Sequence, residues 1–138
     1  MPTTLDFPTK GRVIRVADGQ IVFAPSGTSY ELYLTGTYTG ETNTLIHGII
    51  RARARKVYTV PSGGNFTSPI QGPPRQIQGW VLYADEKNLV VHAGPNFNIA
   101  LPQDDASIDL GEGQIAVNKL VNVMLLPECT FEVVSSGH

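Results

Sequence analysis

Two stretches of the chain resemble each other: GRVIRVADGQIVFAP at residues 11–25 and GWVLYADEKNLVVHA at residues 79–93. In the first, Asp18-Gly19 separates two apolar runs and supplies the positive backbone angles that tight hairpin turns need. In the second, the polar run at residues 85–88 separates two similar apolar runs. Both stretches therefore predict a β-hairpin. The positions that recur at an offset of 68 are Gly11, Val13, Ile21, Val22 and Phe23, with Gly79, Val81, Leu89, Val90 and Val91.

The similarity between the two halves continues beyond the hairpins, with a shrinking offset. At an offset of 67, Tyr30, Leu32 and Leu34 recur as Phe97, Ile99 and Leu101. At an offset of 66, Ile49, Val57, Val60 and Pro61 recur as Ile115, Val123, Leu126 and Pro127. Each change falls in a predicted loop, where duplicated units change length most readily. We therefore expect two pseudo-repeats, 11–61 and 79–127, although the shared period of strands can also place unrelated meanders in partial register.

The fold class predicted from this pattern is all-β. Short apolar strands follow one another between turns rich in glycine and proline, and no segment longer than about 12 residues has helical spacing. A small antiparallel β-barrel, or a barrel-like sandwich, removes the exposed edges of such strands. We expect one β domain at residues 11–138, an N-terminal arm at residues 1–10, and a loop at residues 62–78 that joins the pseudo-repeats.

Composition narrows the class of protein. The chain has 138 residues, of which 16% are charged, and a single cysteine, Cys129, so neither an intrachain disulfide nor a cysteine-rich zinc site is expected. The first residues lack the basic start and apolar core of a secretory signal, and no apolar run approaches the ~18 residues of a membrane span. We expect a cytoplasmic protein or a component of a soluble particle, with no membrane partner.

Residues 51–56 read RARARK and are the most distinctive chemical feature. On a strand, Arg51, Arg53 and Arg55 lie on one face at steps of ~7 Å, with Lys56 next to them. Each guanidinium can bind a phosphate or a carboxylate through two N–H groups. The row is expected to be a solvated face, or one that pairs with acidic residues of the second half. The alternative is a polyanion site, with nucleic acid as one ligand.

The charge distribution favours contacts between the halves. Residues 1–78 contain eight basic and four acidic residues, whereas residues 79–138 contain two basic and eight acidic residues. An acidic counter-surface for the arginines is expected in the stretch that holds Asp104, Asp105, Asp109 and Glu112. The spacing of these carboxylates does not match a calcium-binding loop, so no metal site is predicted.

Two segments resemble docking arms. Leu5 and Phe7 lie between prolines at the N-terminus, and Phe66 and Ile70 lie in the loop at residues 61–78. Both segments are too rich in proline and glycine to form part of a sheet wall, and their large apolar side chains need a surface to cover them. These four residues are the predicted anchors of a homo-oligomer.

Three functions remain open on this basis. The first is a non-catalytic β-barrel protein that self-associates as a structural or scaffold component. The second is a binding module for nucleic acid or another polyanion, centred on the arginine row. An enzyme is the third, and neither a catalytic residue nor a cofactor is predicted, because no nucleophile, acid–base pair or phosphate-binding loop is recognisable.

Overall fold

The chain folds into β-strands joined by turns and loops. A computed structural model describes residues 7–103, 107–111 and 113–135, which form twelve strands and no α-helix, and this confirms the all-β prediction. No segment of the described ranges forms a helix able to cross a membrane. The strands are β1 (Thr9–Ala17), β2 (Gln20–Pro25), β3 (Glu31–Thr35), β4 (Leu45–Thr59), β5 (Phe66–Ser68), β6 (Gln71–Gly72), β7 (Gln76–Ala84), β8 (Asn88–His92), β9 (Asn96–Ala100), β10 (Ile108–Asp109), β11 (Leu120–Leu125) and β12 (Thr130–Ser135).

A hairpin opens each half of the chain. β1 and β2 are joined by Asp18 and Gly19, whose φ angles are 53° and 77°, as the Asp-Gly signal predicts. β7 and β8 are joined by residues 85–87, where the Asp85 carboxylate accepts hydrogen bonds from the amides of Lys87 and Asn88 at 2.8 and 2.7 Å. The bond from the Lys87 amide contributes most to lowering the pKa of Asp85.

The two halves share one order of strand pairing. In the first half, β4 pairs with β1, β1 with β2, and β2 with β3. In the second half, β11 pairs with β7, β7 with β8, and β8 with β9. All of these pairs are antiparallel. Both hairpins carry a register shift at the matching place, after Val13 in β1 and after Val81 in β7.

The third strands correspond differently from the offset read in the sequence. Leu34 pairs with Ile21 of β2, and Ile99 has the matching place opposite Leu89 of β8. By strand pairing, the position of Leu34 is matched by Ile99, whereas the sequence offset matches it with Leu101. A shift of two residues leaves each side chain on the same face of its strand, so the apolar pattern alone could not reveal it.

The fourth strands also differ from the predicted correspondence. Val57 and Val123, which the sequence offset equates, are neighbours that pair directly across β4 and β11. Ile115, predicted to match Ile49, lies outside the strands. The segment between β9 and β11, residues 101–119, is also longer than the connection between β3 and β4, residues 36–44, whereas the sequence offset requires it to be shorter.

β4 is the strand that the two halves share. It pairs antiparallel with β1, β11 and β12 and parallel with β9 and β10. Two closed hydrogen-bonded circuits result, β1–β2–β3–β12–β4 and β4–β11–β7–β8–β9. The sheet is therefore mixed, which corrects the expectation of an antiparallel one, because β4 runs in the same direction as β9, and β3 in the same direction as β12.

The apolar core fixes which side of β4 faces outward. Ile50, Ala52 and Ala54 belong to the buried cluster, together with side chains from both hairpins. The ring centroids of Phe23 and Phe131 lie 4.6 Å apart inside it, and burial of one large apolar side chain stabilises a fold by ~1.5–3 kcal/mol. Because successive strand residues point to opposite faces, the residues between the alanines of β4 are directed away from this core.

Candidate anion-binding face

The central part of β4 separates small buried side chains from long exposed ones. Ala52 and Ala54 are buried, Arg51 is half-buried and Arg53 is exposed. This is the alternation predicted for a strand with one face on the core. A guanidinium on the outward face is free to form paired N–H···O bonds with a carboxylate or a phosphate.

A β-bulge interrupts this alternation at Arg55. Ala54 pairs with Leu125 and Lys56 pairs with Met124, so Arg55 has no residue opposite it in β11. A bulge re-aims the side chains of the longer strand, and both Arg55 and Lys56 are exposed. Two consecutive cations are thereby held at the surface, which simple alternation would not achieve.

Arg75 is a further cation near this face, and the sequence analysis missed it. It immediately precedes β7, and its carbonyl oxygen accepts a hydrogen bond from the amide of Leu125 at 2.9 Å. Arg75 is exposed and lines the same cleft as Arg55. The strand order β4–β11–β7 places Arg75 near β4. In the sequence, Arg75 is marked only as a basic residue just before a predicted strand.

Arg51 forms an ion pair with the second half of the chain. Its Nη2 lies 3.0 Å from Oε1 of Glu132 in β12, and the side chains are 42% and 61% exposed. Such exposed pairs stabilise a fold by only ~0–1 kcal/mol. Within the described ranges, no carboxylate lies within 4.0 Å of the cationic groups of Arg53, Arg55, Lys56 or Arg75.

The acidic stretch predicted to face the arginines has one described carboxylate. Asp109 lies in β10, opposite Tyr58 of β4, and its Oδ1 accepts a hydrogen bond from the amide of Gly111 at 2.9 Å. That carboxylate therefore organises its own loop rather than an arginine. Asp104, Asp105 and Glu112 lie outside the described residues.

Two clefts lie beside the exposed cations. The larger, about 590 Å³, lies between β3 and residues 124–129, with Arg55 and Arg75 among its lining residues; we call it the proline cleft, because Pro73 and Pro74 also line it. The smaller, about 260 Å³, lies where β4 and β9 run parallel.

Each cleft lies beside one end of an antiparallel strand pair, β2–β3 or β8–β9. Gln20 pairs with Thr35 beside the proline cleft, and Asn88 pairs with Ala100 beside the smaller one. The smaller cleft is also lined by Asn98, which is 4% exposed and whose side-chain oxygen and nitrogen find no hydrogen-bond partner among the described residues. Each buried polar group that lacks a partner lowers the free energy of unfolding by about 1–3 kcal/mol.

A third groove, about 910 Å³, lies on the other side of the arginine row. It is lined by residues 35–41 and 130–133, together with Arg51. The cation in this groove is the one already paired with Glu132. The unpaired positive charge therefore lies toward the two clefts rather than toward this groove.

The predicted assembly anchors have different environments. The rings of Phe7 and Tyr83 are 6.3 Å apart, and Phe66 is half-buried in β5, so both contact their own chain. Ile70 is 62% exposed. Leu5 lies outside the described residues. One of the four anchors is thus visibly uncovered.

The two segments predicted as arms contribute strands to the sheet. β1 begins at Thr9, inside the predicted N-terminal arm. Residues 61–78 include β5, β6 and the start of β7. The expectation that proline and glycine exclude these segments from the sheet is wrong. β5 and β6 are only three and two residues long, so they fit between the prolines.

Two further ionisable side chains, Cys129 and His92, have defined surroundings. Cys129, which lines the proline cleft, is buried, and this burial raises the pKa of its thiol to about 11. His92 Nδ1 lies 2.8 Å from Asn96 Oδ1. In the part of the chain that the structure describes, no three histidine, cysteine, aspartate or glutamate side chains converge on a metal position.

Comparison with protein-family models, with curated proteins and with solved structures finds no match to this chain. Its function is therefore argued from the chemistry of the exposed face and the clefts beside it. One fold can support many unrelated functions, which depend on particular sites. The all-β fold by itself therefore does not indicate an activity.

Proposed function

We propose that this protein is a non-catalytic binding domain that holds a polyanion, such as a nucleic-acid strand, against the outward face of β4. One observation carries the proposal. Arg53, Arg55, Lys56 and Arg75 are exposed, and among the described residues none of them has a carboxylate within 4.0 Å. We call these four side chains the cationic cluster.

The cationic cluster supports binding that the overall charge would oppose. The whole chain has a formal net charge of −2, so attraction to a polyanion must come from a local concentration of positive charge. Neutralising phosphates with arginine and lysine releases condensed counterions, which makes the affinity fall steeply with salt. The four cations of the cationic cluster should therefore make the affinity for a polyanion depend measurably on salt concentration.

The proposal is tested with an oligothymidylate of about 20 nucleotides, whose affinity is measured by fluorescence anisotropy at two salt concentrations. The variant R53A/R55A/R75A should bind at least about tenfold more weakly than the wild type. The matched control is K10A/R12A/R15A, which removes three exposed cations from β1. Equal losses in the two variants, or a wild type that does not bind at low salt, would reject the proposal.

Self-association as a structural or scaffold component is a second candidate, favoured by Ile70. This side chain is 62% exposed and lines a groove with Tyr30, Asn65 and Gly94. Burying it in a partner subunit would contribute ~1.5–3 kcal/mol. I70D should then lower the mass measured by light scattering, whereas V117D, at a position of 57% exposure, should not. A wild-type chain that is monomeric at high concentration would remove this candidate.

We infer further that the two halves are pseudo-repeats and that the two strand circuits are small barrels sharing β4. The shared pairing order and the matching bulges support this. Gly11 and Gly79 add a third match: a Cβ at Gly11 would collide with the Ala24 carbonyl, and one at Gly79 with the carbonyl of His92. Superposing the first four strands on β7, β8, β9 and β11 about a pseudo-twofold axis tests the inference.

A further inference from the structure

The proline cleft has the size of a small-molecule site. Its volume is about 590 Å³, and ligand pockets in proteins occupy ~300–1,000 Å³. It opens beside the cationic cluster, because Arg55 and Arg75 both line it. The cleft therefore offers that cluster a concave surface in addition to the flat outer face of β4.

The floor of the proline cleft is apolar. Leu34, Leu125 and Cys129 line it and are buried in the core. The thiol of Cys129 stays protonated near neutral pH, since burial raises its pKa to about 11. No charged group is therefore contributed by the floor, and an apolar ligand surface can contact it without desolvating an ion.

One wall of the proline cleft is built from residues of restricted backbone freedom. Pro73, Pro74 and Pro127 all line the cleft. Proline fixes its own φ angle, and the Cys129 thiol donates a weak hydrogen bond to the Pro74 carbonyl at 3.9 Å. A wall held in this way loses little conformational entropy when a ligand binds.

The charged residues that line the proline cleft are Arg55, Arg75 and Glu128. All three are exposed, and together they carry one net positive charge. A ligand with one negative charge matches that balance, whereas a dianion would exceed it. A carboxylate also fits a guanidinium geometrically, through two parallel N–H···O bonds.

We propose that the proline cleft binds a small amphipathic carboxylate, with its apolar body over Leu34 and Leu125 and its carboxylate between Arg55 and Arg75. This inference rests on the proposed function, since it uses two members of the cationic cluster, and it adds a second ligand class to that surface. The apolar body supplies burial and the arginine pair supplies orientation, as is usual for small-molecule sites.

The test is the binding of decanoate below its micelle concentration, measured by calorimetry, with decanol as the uncharged control. R55A and R75A should each weaken decanoate binding about tenfold. R12A, which removes an exposed arginine of β1, should leave it unchanged. R53A should also leave it unchanged while weakening the oligothymidylate complex, because Arg53 lines the smaller cleft instead.

A second measurement locates the ligand on the full-length wild-type chain. Backbone amide shifts at Leu34, Leu125 and Cys129 should move on addition of decanoate. The inference is overturned if decanol binds as tightly as decanoate, if R12A and R55A lose the same affinity, or if those three amides do not move. Loss of oligothymidylate binding in R53A and R55A without any decanoate binding would overturn the cleft ligand and leave the polyanion function standing.

Discussion

Cys129 and the two arginines of the proline cleft line the same cavity but have opposite environments. Burial raises the pKa of the Cys129 thiol, and a backbone hydrogen bond lowers it by less. Burial dominates at Cys129 and brings the pKa of its thiol to about 11, while Arg55 and Arg75 remain in water. The thiol therefore behaves as a small apolar group of the cleft floor.

The stability of the folded protein at high pH should depend on Cys129. The unfolded thiol loses its proton near pH 9, and the folded thiol near pH 11. The stabilising contribution of Cys129 is therefore fully present below pH 9 and is lost as the pH rises through 11. Between pH 8 and 11, the free energy of unfolding from urea melts should fall about 2 kcal/mol more for the wild type than for C129V. Parallel curves for the two proteins would contradict this assignment.

Sequence reasoning at the residue scale succeeded where the cause was local. The alternation of alanine and arginine in RARAR predicted which β4 side chains face outward. It could not give the bulge at Arg55, because a bulge is defined by the register against β11. It also missed Arg75 and Glu132, whose places near the arginine row depend on strand order rather than on spacing along the chain.

At the scale of single elements, each hairpin depends on a close backbone contact at one glycine of its first strand. Gly11 approaches the Ala24 carbonyl, and Gly79 approaches the His92 carbonyl, so closely that neither position has room for a Cβ atom. The atoms that would be displaced belong to the backbone of the paired strand, which cannot rotate aside. Each glycine is therefore required by the packing of its own hairpin.

We expect G11A and G79A each to lower the free energy of unfolding by about 1–3 kcal/mol, since overpacking forces the backbone to shift. G64A is the matched control, because a Cβ at Gly64 meets no atom within 4 Å. Guanidinium melts of the three variants provide the comparison. If G79A and G64A were equally stable, the close contact would not be a determinant of the second hairpin.

Elements with a strong local signal were predictable and very short ones were not. The first hairpin followed from Asp18-Gly19 and its flanking apolar runs. β5, β6 and β10 are two or three residues long, too short to show a period of two. The apolar pattern of β3 and β9 could not fix their register, because such a pattern tolerates a shift of two residues.

At the scale of the whole molecule, β4 makes each half dependent on the other. The circuit of the first half is closed by β12, which lies at residues 130–135, and the circuit of the second half is closed by β4, at residues 45–59. A fragment of either half would leave strands of its sheet without a partner. Unpaired strand edges are unstable in water or associate with other chains.

Fragments 1–74 and 75–138, which are divided between β6 and β7, should therefore each lack β-sheet circular dichroism when expressed alone, and the intact chain should unfold in a single transition. Mixing the two fragments should restore part of the β-sheet signal, since their formal charges are opposite in sign. A fragment that shows a cooperative melt on its own would mean that the halves are independent domains.

The most direct test of the central claim is where a polyanion contacts the folded protein. An isotope-labelled full-length chain is titrated with an oligothymidylate of about 20 nucleotides at low salt, and its backbone amide shifts are followed. We expect the largest changes at residues 51–56, at Arg75 and at residues 125–126, with little change at residues 10–15 of β1. Changes centred on β1, or scattered without a maximum on β4, would contradict binding by the cationic cluster.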